Sequence, residues 1–317
     1  MHKLKRWIFL LSLGLLLMLM GCVAKQEGPI LTPTKPRSIS YPVSVKDQTG
    51  TIVQIPKEPK RIVSLVPSTT EIAYALKLNK EVVAVTENDD YPPEVKKLPK
   101  VGNMKIDIEQ VLAQKPDLVL ASTANDPKTI ERLRQLKLPV LVTDGKNIKQ
   151  VFAAIQNVAL ATNRAWEAEQ LIARINKQIR ETYGRVVQIP KEKRVKVWIE
   201  LDPELYTVGG DGFLNEMVNL AGGVNVAEKE KGWPKVSSEQ VVKWKPDVII
   251  SVYPGGEKEI LKRKGWESIP AIQKKRVFSI DPNLVSRPGP RVSEGIIKLA
   301  KLFYPEKFGE VSSETNQ

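Results

Sequence analysis

The sequence predicts an α/β protein made of two lobes that one long helix joins, and three observations support this prediction. Short runs rich in Val, Ile and Leu alternate with helical stretches of about ten residues, which is typical of βαβ units and a mostly parallel sheet. The alternation stops at residues 164–183, where about 20 residues without Gly or Pro predict a helix about 30 Å long. A segment of the first half also recurs in the second half.

The first half begins with a predicted β-hairpin at residues 43–56, whose turn is Asp47-Gln48-Thr49-Gly50. Four predicted strands follow it, at residues 61–66, 81–85, 117–121 and 140–142. Three helices are predicted between these strands: one that begins near Ser68, one at residues 107–113 and one at residues 126–136.

Two successive helices, at residues 149–161 and 164–183, separate the halves. The alternation then resumes, with predicted strands at 195–201, 247–252 and 276–280 and predicted helices at 212–220, 237–243 and 292–303.

The repeated segment is the strongest indication that the two lobes share one plan. Residues 108–120 match residues 238–250: Glu-Gln-Val, then Lys-Pro-Asp, then three aliphatic residues occur at identical spacing. Each copy predicts a short helix, a break at the proline and a buried strand.

Glu109 and Glu239 occupy equivalent positions near the first turns of the repeated helices. A carboxylate there stabilises its helix by a few tenths to about 1 kcal/mol. Alternatively, one surface carboxylate per lobe contacts a basic partner with approximate twofold symmetry. The residues alone leave both interpretations open.

Composition excludes several kinds of site. The only histidine is His2 and the only cysteine is Cys22, so the chain after Val23 has no imidazole or thiol. This excludes Ser-His-Asp and Cys-His sites, His-ligated metals, iron–sulfur clusters and disulfides from that part. We therefore expect no metal site.

The N-terminus has the pattern of an export signal. Three basic residues precede the apolar run 7–20, which is shorter than the roughly 20 residues of a bilayer span, and Gly21-Cys22 follows. One interpretation is an uncleaved anchor. The other is a lipoprotein signal that resembles a bacterial lipobox, with Cys22 acylated and anchored to the cell membrane from outside.

Removal of residues 1–21 takes away three basic residues and lowers the net charge from +13 to +10. The lysines are spread along the chain without an Arg-rich tract or an aromatic RNA-binding motif, so no nucleic-acid partner is expected. The charge suits a surface beside anionic lipids and wall polymers.

The expected organisation is a lipoprotein signal peptide at 1–21, a tether at 22–40, an N-terminal lobe at 41–147, linking helices at 148–184, a C-terminal lobe at 185–309 and a disordered tail at 310–317.

Several motifs together resemble a known family. They are Pro59–Leu65, Pro67–Glu71, Asp90–Pro93 and the two Lys-Pro-Asp units, after a lipobox. The combination, over about residues 41–305, resembles the class III substrate-binding proteins of ABC importers for cobalamin and iron–siderophore complexes. This resemblance implies two Rossmann-like lobes joined by a single long helix, with a ligand cleft between them and only a small closing motion.

The resemblance also implies a function. We expect a monomeric, extracytoplasmic, lipid-anchored protein that captures a cobalamin-like corrinoid or a ferric siderophore and delivers it to an ABC permease dimer with its ATPase. No enzymatic activity and no resident cofactor are expected. Glu109 and Glu239 match the family's permease-docking glutamates.

The expected ligand-binding residues are Ser68, Thr69, Asn88, Tyr91, Tyr206, Trp233, Arg287 and Arg291. Ser68 and Thr69 lie at a strand-to-helix turn, where free N–H groups bind ligands, although both residues equally suit helix N-caps. Trp233, Arg287 and Arg291 match ligand-proximal positions of the family.

Two positions differ from the cobalamin receptor of this family in a way that affects which ligand is expected. Asn88 and Ser122 stand where the cobalamin receptor has a tyrosine and a tryptophan. Because two aromatic faces are lost, an anionic ferric chelate bound by Arg287, Arg291, Tyr206 and Trp233 stays open beside a corrinoid.

Two other classes of function are less favoured. One is an exported hydrolase that uses carboxylate pairs, such as Asp202 with Glu204 or Asp89 with Asp90, although such neighbours are more often turn formers. The other is a sensory or adhesive binding lipoprotein without a permease.

Overall fold

The computed structural model describes residues 38–309. The predictions for the signal peptide, for Cys22 and for the tail at 310–317 lie outside these residues. Residues 38–309 belong to one compact unit, and the first residue of its hydrophobic clusters in this range is Tyr41.

The chain begins with the predicted hairpin. Strands β1 (Val43–Lys46) and β2 (Ile52–Ile55) pair antiparallel, with Val43 opposite Ile55. Asp47 fixes the turn, because its Oδ1 accepts hydrogen bonds from the backbone N–H groups of Thr49 and Thr51.

The first lobe is a parallel four-stranded sheet with helices on its faces. Its strands are β3 (Ile62–Ser64), β4 (Val82–Ala84), β5 (Leu118–Ser122) and β6 (Val140–Thr143), in the order β4-β3-β5-β6. Its helices are α1 (Pro67–Ala75), α2 (Ile108–Ala113) and α3 (Pro127–Gln135), with a 3₁₀ helix at Pro93–Lys97.

Two helices leave this lobe, α4 (Ile148–Thr162) and α5 (Ala165–Val186), separated by Asn163 in the left-handed conformation. The predicted end of α5 before Gly184 is wrong, since the helix continues to Val186. A Cβ at Gly184 would meet no atom within 4 Å, so this glycine lies on an open face of the helix and costs only about 1 kcal/mol.

The second lobe repeats the plan of the first. Its parallel strands are β7 (Lys196–Glu200), β8 (Val224–Asn225), β9 (Val248–Ser251) and β10 (Val277–Ser279), in the order β8-β7-β9-β10. Its helices are α6 (Phe213–Leu220), α7 (Ser238–Trp244), α8 (Gly256–Ile260), α9 (Pro270–Gln273), α10 (Pro282–Ser286), α11 (Val292–Phe303) and α12 (Pro305–Phe308), with a 3₁₀ turn at Lys191–Lys193.

The predicted α/β fold class of two lobes is confirmed, and the equal strand orders explain the sequence repeat. The short elements β8, α8, α9 and α10 were missed because two to five residues are too few to show a period.

One hydrophobic cluster runs through both lobes and the linking helices, from Val45 through Ile155 and Ile175 to Phe303. Each sheet also has its own outer cluster on the opposite face. Because both faces of each sheet are covered, the strands are buried along nearly their whole length, as parallel strands usually are. Among the helices of residues 38–309, none combines the length and the apolar composition that a membrane span needs.

Two glycines in helices test this packing. A Cβ on Gly295 of α11 would lie 2.5 Å from the carbonyl oxygen of Leu284 and from Cε of Met217. We expect Gly295→Ala to lower the free energy of unfolding by about 1–3 kcal/mol through overpacking. Gly184→Ala, the control, should raise it by about 0.5–1 kcal/mol. Urea unfolding checks both, and equal effects of the two substitutions would contradict this packing.

Candidate ligand-binding cleft

The carboxyl ends of the strands of both lobes line a cleft of about 560 Å³. The first lobe contributes residues 122–124 after β5 and 143–146 after β6, and the second contributes 211–213 at the start of α6, with Trp233 and Pro288. Ligands bind at this edge in parallel α/β folds because loops and helix N-termini converge there.

A smaller cavity of about 240 Å³ shares part of this lining, including Ser68, Ser122 and Pro288. It adds Asn88 and Met104 from the first lobe. The two cavities therefore form one elongated cleft.

The cleft combines apolar walls with a polar rim. The apolar residues include Phe213, Trp233, Pro288 and Met104, and the residues with hydroxyl or amide groups include Ser68, Ser122, Thr123, Thr143 and Asn103. Trp233 is 75% exposed and Met104 is 83% exposed, which is unusual for large apolar side chains and typical of a binding surface.

Trp233 and Met104 lie in loops that the repeat relates to each other. Each loop contains a glycine with positive φ, Gly102 at 106° and Gly232 at 63°, just before the exposed side chain. Such φ values favour glycine, so in each lobe a glycine turn precedes an exposed apolar residue at the cleft.

Two helices point uncapped N-termini toward the cleft. The N-caps of α1 and α6 are Val66 and Gly212, and neither makes a side-chain capping bond. Ser68, at the start of α1, is therefore not the N-cap and lines both cavities instead. The N–H groups of these first turns suit carbonyl or anionic oxygens of a ligand.

A network of ion pairs around the buried Glu71 carboxylate crosses the lobe junction beside the cleft. Glu71 of α1 is 2% exposed, and its two carboxylate oxygens accept hydrogen bonds from Nε and Nη2 of Arg291 at 2.8 and 2.7 Å. Arg287 lies 3.2 Å from Glu71 and 2.6 Å from Asp90, and it donates to the carbonyl oxygen of Asn88. We call Glu71, Asp90, Arg287 and Arg291 the interlobe clasp.

Arg291 and Tyr91 were expected to bind the ligand, but the structure places both outside the cleft. The Arg291 guanidinium lies 4.1 Å from the Tyr91 ring, and both residues line a separate cavity of about 360 Å³ instead of the cleft. Burial alone would lower the pKa of Arg291, but the hydrogen bonds and the charge of Glu71 outweigh burial and raise it. Arg291 is a structural cation.

Arg287 does border the smaller cavity, but its guanidinium is engaged by two carboxylates. Thr69 is fully buried and its hydroxyl bonds to Ser64 and to the carbonyl oxygen of Val66, so it does not reach the cleft. Tyr206 packs beneath Lys235 and lines neither cavity of the cleft.

Sequence reasoning missed Thr143, Asp144, Lys146, Phe213 and Met104. The first four follow directly from the rule that the carboxyl ends of parallel strands carry the site, because β6 and α6 were both predicted. Nothing local in the sequence marks Met104 as exposed.

The charged groups of the 560 Å³ cavity are Asp144, Lys146 and Asp211. Asp144 accepts a hydrogen bond from Thr123 and lies 3.4 Å from the Lys146 ammonium. Asp211 accepts the N–H of Gly232. The cavity thus has two carboxylates against one ammonium.

The carboxylate pairs considered for hydrolysis have structural roles. Asp90 is bound by Arg287, and Asp202 accepts the N–H of Glu204 within a turn. Asp89 is buried, its Oδ2 accepts the N–H of Thr86, and burial raises the pKa of its carboxyl group.

Glu109 and Glu239 are exposed in the first turns of α2 and α7. Asp107 and Ser237 cap these helices, since each side chain accepts a backbone N–H of the first turn. Because both helices start at the strand-end edge of their sheets, the two carboxylates lie on the side of the cleft in their respective lobes.

Comparison with known proteins agrees with this geometry. The family model described as periplasmic binding protein matches residues 62–284. The uncharacterized ABC transporter substrate-binding lipoprotein YvrC of Bacillus subtilis (strain 168) is 38% identical over 310 residues, which cover 96% of this chain and 98% of that protein.

The vitamin B12-binding protein of Vibrio parahaemolyticus is 28% identical over 248 residues, which cover 77% of this chain and 89% of that protein. A solved structure of a possible iron-binding periplasmic solute-binding protein from Staphylococcus epidermidis has a TM-score of 0.71 at 30% identity, and covers 78% of this chain and 100% of that chain.

The clasp can be tested against a matched buried pair. Glu200 is fully buried and binds Arg263, Tyr253 and Trp198, all within the second lobe. We expect Glu71→Gln and Glu200→Gln each to destabilise the protein by about 3 kcal/mol, because each removes the buried carboxylate that binds a mostly buried guanidinium, and Arg263 then keeps only the half-exposed Glu259.

Only Glu71→Gln should accelerate hydrogen exchange in residues 286–291, which the clasp holds to the first lobe. Mass spectrometry of the peptide that contains them measures this. Equal acceleration by Glu200→Gln would show that residues 286–291 respond to global stability alone.

Proposed function

Because the chain belongs to the periplasmic binding protein family and is the extracytoplasmic binding component of an ABC importer, we propose that its ligand is a cobalamin-like corrinoid. We further propose that Glu109 and Glu239 dock the loaded protein onto the permease. Cys22 carries the lipid anchor, and the protein acts as a monomer without a resident cofactor or covalent chemistry.

The shape of the cleft supports a large, flat ligand. Its volume of about 560 Å³ lies within the range of roughly 300–1,000 Å³ typical of small-molecule sites, and the adjoining cavity extends it. Trp233 offers an exposed aromatic face, while Phe213 and Met104 supply apolar surface where Asn88 and Ser122 lack aromatic rings.

The charge of the cleft is the observation that carries the choice between the two ligand classes. Glu71 and Asp90 neutralise the arginines that would bind an anionic ferric chelate, and Asp144 and Asp211 against Lys146 leave the cavity with one net negative charge. A corrinoid carries uncharged amide side chains around an apolar ring. Those amides can donate to carboxylates and hydroxyls and can accept from the N–H groups at the start of α1 and α6.

The vitamin B12-binding protein of Vibrio parahaemolyticus supports the same choice by similarity. In transport, the corrinoid would bind between the lobes. The interlobe clasp and the common core would allow the lobes to close only slightly. Docking on the permease would then present the cleft to the translocation path.

Ligand identity is testable by calorimetry and visible absorbance with cobalamin, cobinamide, haem, a ferric hydroxamate and ferric citrate. We expect the corrinoids to bind and to raise the melting temperature through linkage. Trp233→Ala should weaken corrinoid binding by about 10- to 100-fold, because an exposed aromatic side chain at the centre of a contact carries much of the binding energy.

Ile52→Ala is the control, since Ile52 is 63% exposed on the hairpin and lines neither cavity of the cleft. Binding of ferric citrate without any corrinoid binding would refute the proposed ligand class.

Docking is tested by Glu109→Arg and Glu239→Arg. Each should abolish uptake, because it places a cation against a basic partner surface, and each should leave ligand affinity unchanged. Glu181→Arg, at an exposed glutamate of α5, is the control and should transport normally. Loss of ligand affinity in the first two variants would instead place these glutamates in ligand binding.

A further inference from the structure

The two cavities of the cleft differ in their charged groups. The larger cavity, of about 560 Å³, contains the carboxylates of Asp144 and Asp211 beside Lys146. The smaller cavity, of about 240 Å³, is lined by no Asp or Glu of residues 38–309, and its charged lining residue is Arg287. Most of its polar lining consists of hydroxyl and amide side chains, among them Ser68, Ser122 and Ser286. One part of the cleft therefore offers carboxylates to a ligand, and the other offers groups that can donate hydrogen bonds.

The start of α1 adds backbone donors at the smaller cavity. The nine residues of this helix begin with Pro67, which has no N–H, and the N-cap Val66 makes no side-chain capping bond. The N–H groups of Ser68 and Thr69 therefore lack helical acceptors and point out of the helix start, where the helix dipole favours a negative charge. Val66, Pro67 and Ser68 all line this cavity. Anions bind at helix starts of this kind.

The Ser68 hydroxyl is a second, independent feature of the same place. Ser68 is only 8% exposed, and a hydroxyl that is buried to this extent normally has a hydrogen-bond partner. Within the described part of the chain it makes no hydrogen bond, although the neighbouring hydroxyls of Thr69 and Thr70 both donate to the carbonyl oxygen of Val66. Because Ser68 lines both cavities, a ligand in the cleft can supply the missing acceptor.

The carboxylates around the smaller cavity are bound, buried or screened. The clasp arginines bind Glu71 and Asp90. Asp89 is buried, and burial raises the pKa of its carboxyl group, which favours the neutral form. Glu87 is exposed and accepts a hydrogen bond from the Asn103 amide, where water and salt screen its charge. None of these carboxylates lines the cavity, so the start of α1 keeps its attraction for an anion.

The size of the smaller cavity suits one group of a ligand better than a whole ligand. Its volume of about 240 Å³ lies below the roughly 300–1,000 Å³ that is typical of complete small-molecule sites. It shares Ser68, Ser122 and Pro288 with the larger cavity, which contains Trp233. A ring that packs against Trp233 can therefore extend a side arm into the smaller cavity.

We propose that the smaller cavity is an oxyanion subsite, and that it binds the phosphodiester group of a corrinoid that carries a nucleotide. A complete corrinoid has a nucleotide arm with one phosphodiester, whereas a corrinoid without this arm has amides and a hydroxyl in its place. The N–H groups of Ser68 and Thr69 and the Ser68 hydroxyl donate to the phosphate oxygens, and the carboxylates of the larger cavity accept from the ring amides. The inference rests on the proposed corrinoid ligand and names the part of that ligand which distinguishes one corrinoid from another.

Calorimetry with cobalamin, cobinamide phosphate and cobinamide tests the subsite. Excess cyanide gives the cobalt the same two axial ligands in all three, so that differences in affinity arise from the arm. We expect cobalamin and cobinamide phosphate to bind at least about tenfold more tightly than cobinamide, because hydrogen bonds to a charged group are the stronger kind. Equal affinities for all three would overturn the subsite and leave the corrinoid ligand standing. Cobinamide phosphate that binds only as weakly as cobinamide would show that the base, and not the phosphate, is recognised, which also overturns the subsite.

Ser68→Ala and Ser68→Asp locate the subsite. Loss of the hydroxyl should weaken cobalamin binding about tenfold, and a carboxylate there should weaken it at least about a hundredfold, while cobinamide stays within about threefold. Aspartate is favourable in the first turn of a helix, so thermal unfolding should show an intact fold. The control is Thr123→Ala, because Thr123 lines only the larger cavity and should change all three affinities by the same factor. Equal losses of cobalamin and cobinamide in the Ser68 variants would overturn the assignment.

Inorganic phosphate separates the subsite from the identity of the ligand. A titration at constant ionic strength should shift the backbone amide NMR signals of Ser68 and Thr69, and Ser68→Asp should abolish these shifts. The signals of Phe213 and Leu214, at the start of α6 beside Asp211, should not move, because that carboxylate repels an anion. Equal shifts at both helix starts, or none at Ser68 and Thr69, would overturn the oxyanion subsite. If no corrinoid bound, the proposed function would fail together with the nucleotide arm, and this titration would still decide whether the cavity binds an oxyanion.

Discussion

The shape and charge of the cleft depend on the ion pairs that the buried Glu71 carboxylate makes with Arg287 and Arg291 at the lobe junction. Two mostly buried guanidinium groups would be unfavourable without partners, and Glu71 with Asp90 binds both. The same bonds hold residues 286–291 against the first lobe, where Pro288 forms part of the cleft wall and packs against Gly145. They also remove two cations from the ligand site. The shape and the charge of the cleft therefore have one physical origin.

The common core complements this clasp. Helices α4 and α5 contribute side chains to a cluster that includes residues from both lobes, so opening the lobes widely would expose apolar surface as well as break ion pairs. A ligand thus meets a cleft that is largely formed in advance, which reduces the ordering cost of binding. In the proposed function, specificity comes from Trp233, Phe213 and the uncapped helix starts.

Sequence reasoning reached the features that local patterns encode. The hairpin, the parallel strands, the two linking helices and the repeat all have periodicity or matched motifs, and the exposed loop with Trp233 followed from the family resemblance. The roles of Arg291 and Tyr91 could not be predicted, because Glu71 and Arg291 are 220 residues apart in the chain and only the folded lobes bring them together. Thr69 was misassigned for a different reason, since its hydroxyl bonds to Ser64, only five residues earlier, in a buried contact that the motif does not reveal.

The equal strand orders of the lobes have a consequence for assembly. Glu109 and Glu239 follow the same helix start, so a twofold-symmetric partner meets nearly the same carboxylate in two arrangements related by a half-turn. A half-turn returns such a partner to itself, so these two arrangements are one and the same complex, and the ligand meets the partner identically in both. The parts of the chain outside the repeat, including the hairpin and the loops with Met104 and Trp233, instead make the two halves of the partner differ from each other once the protein has docked.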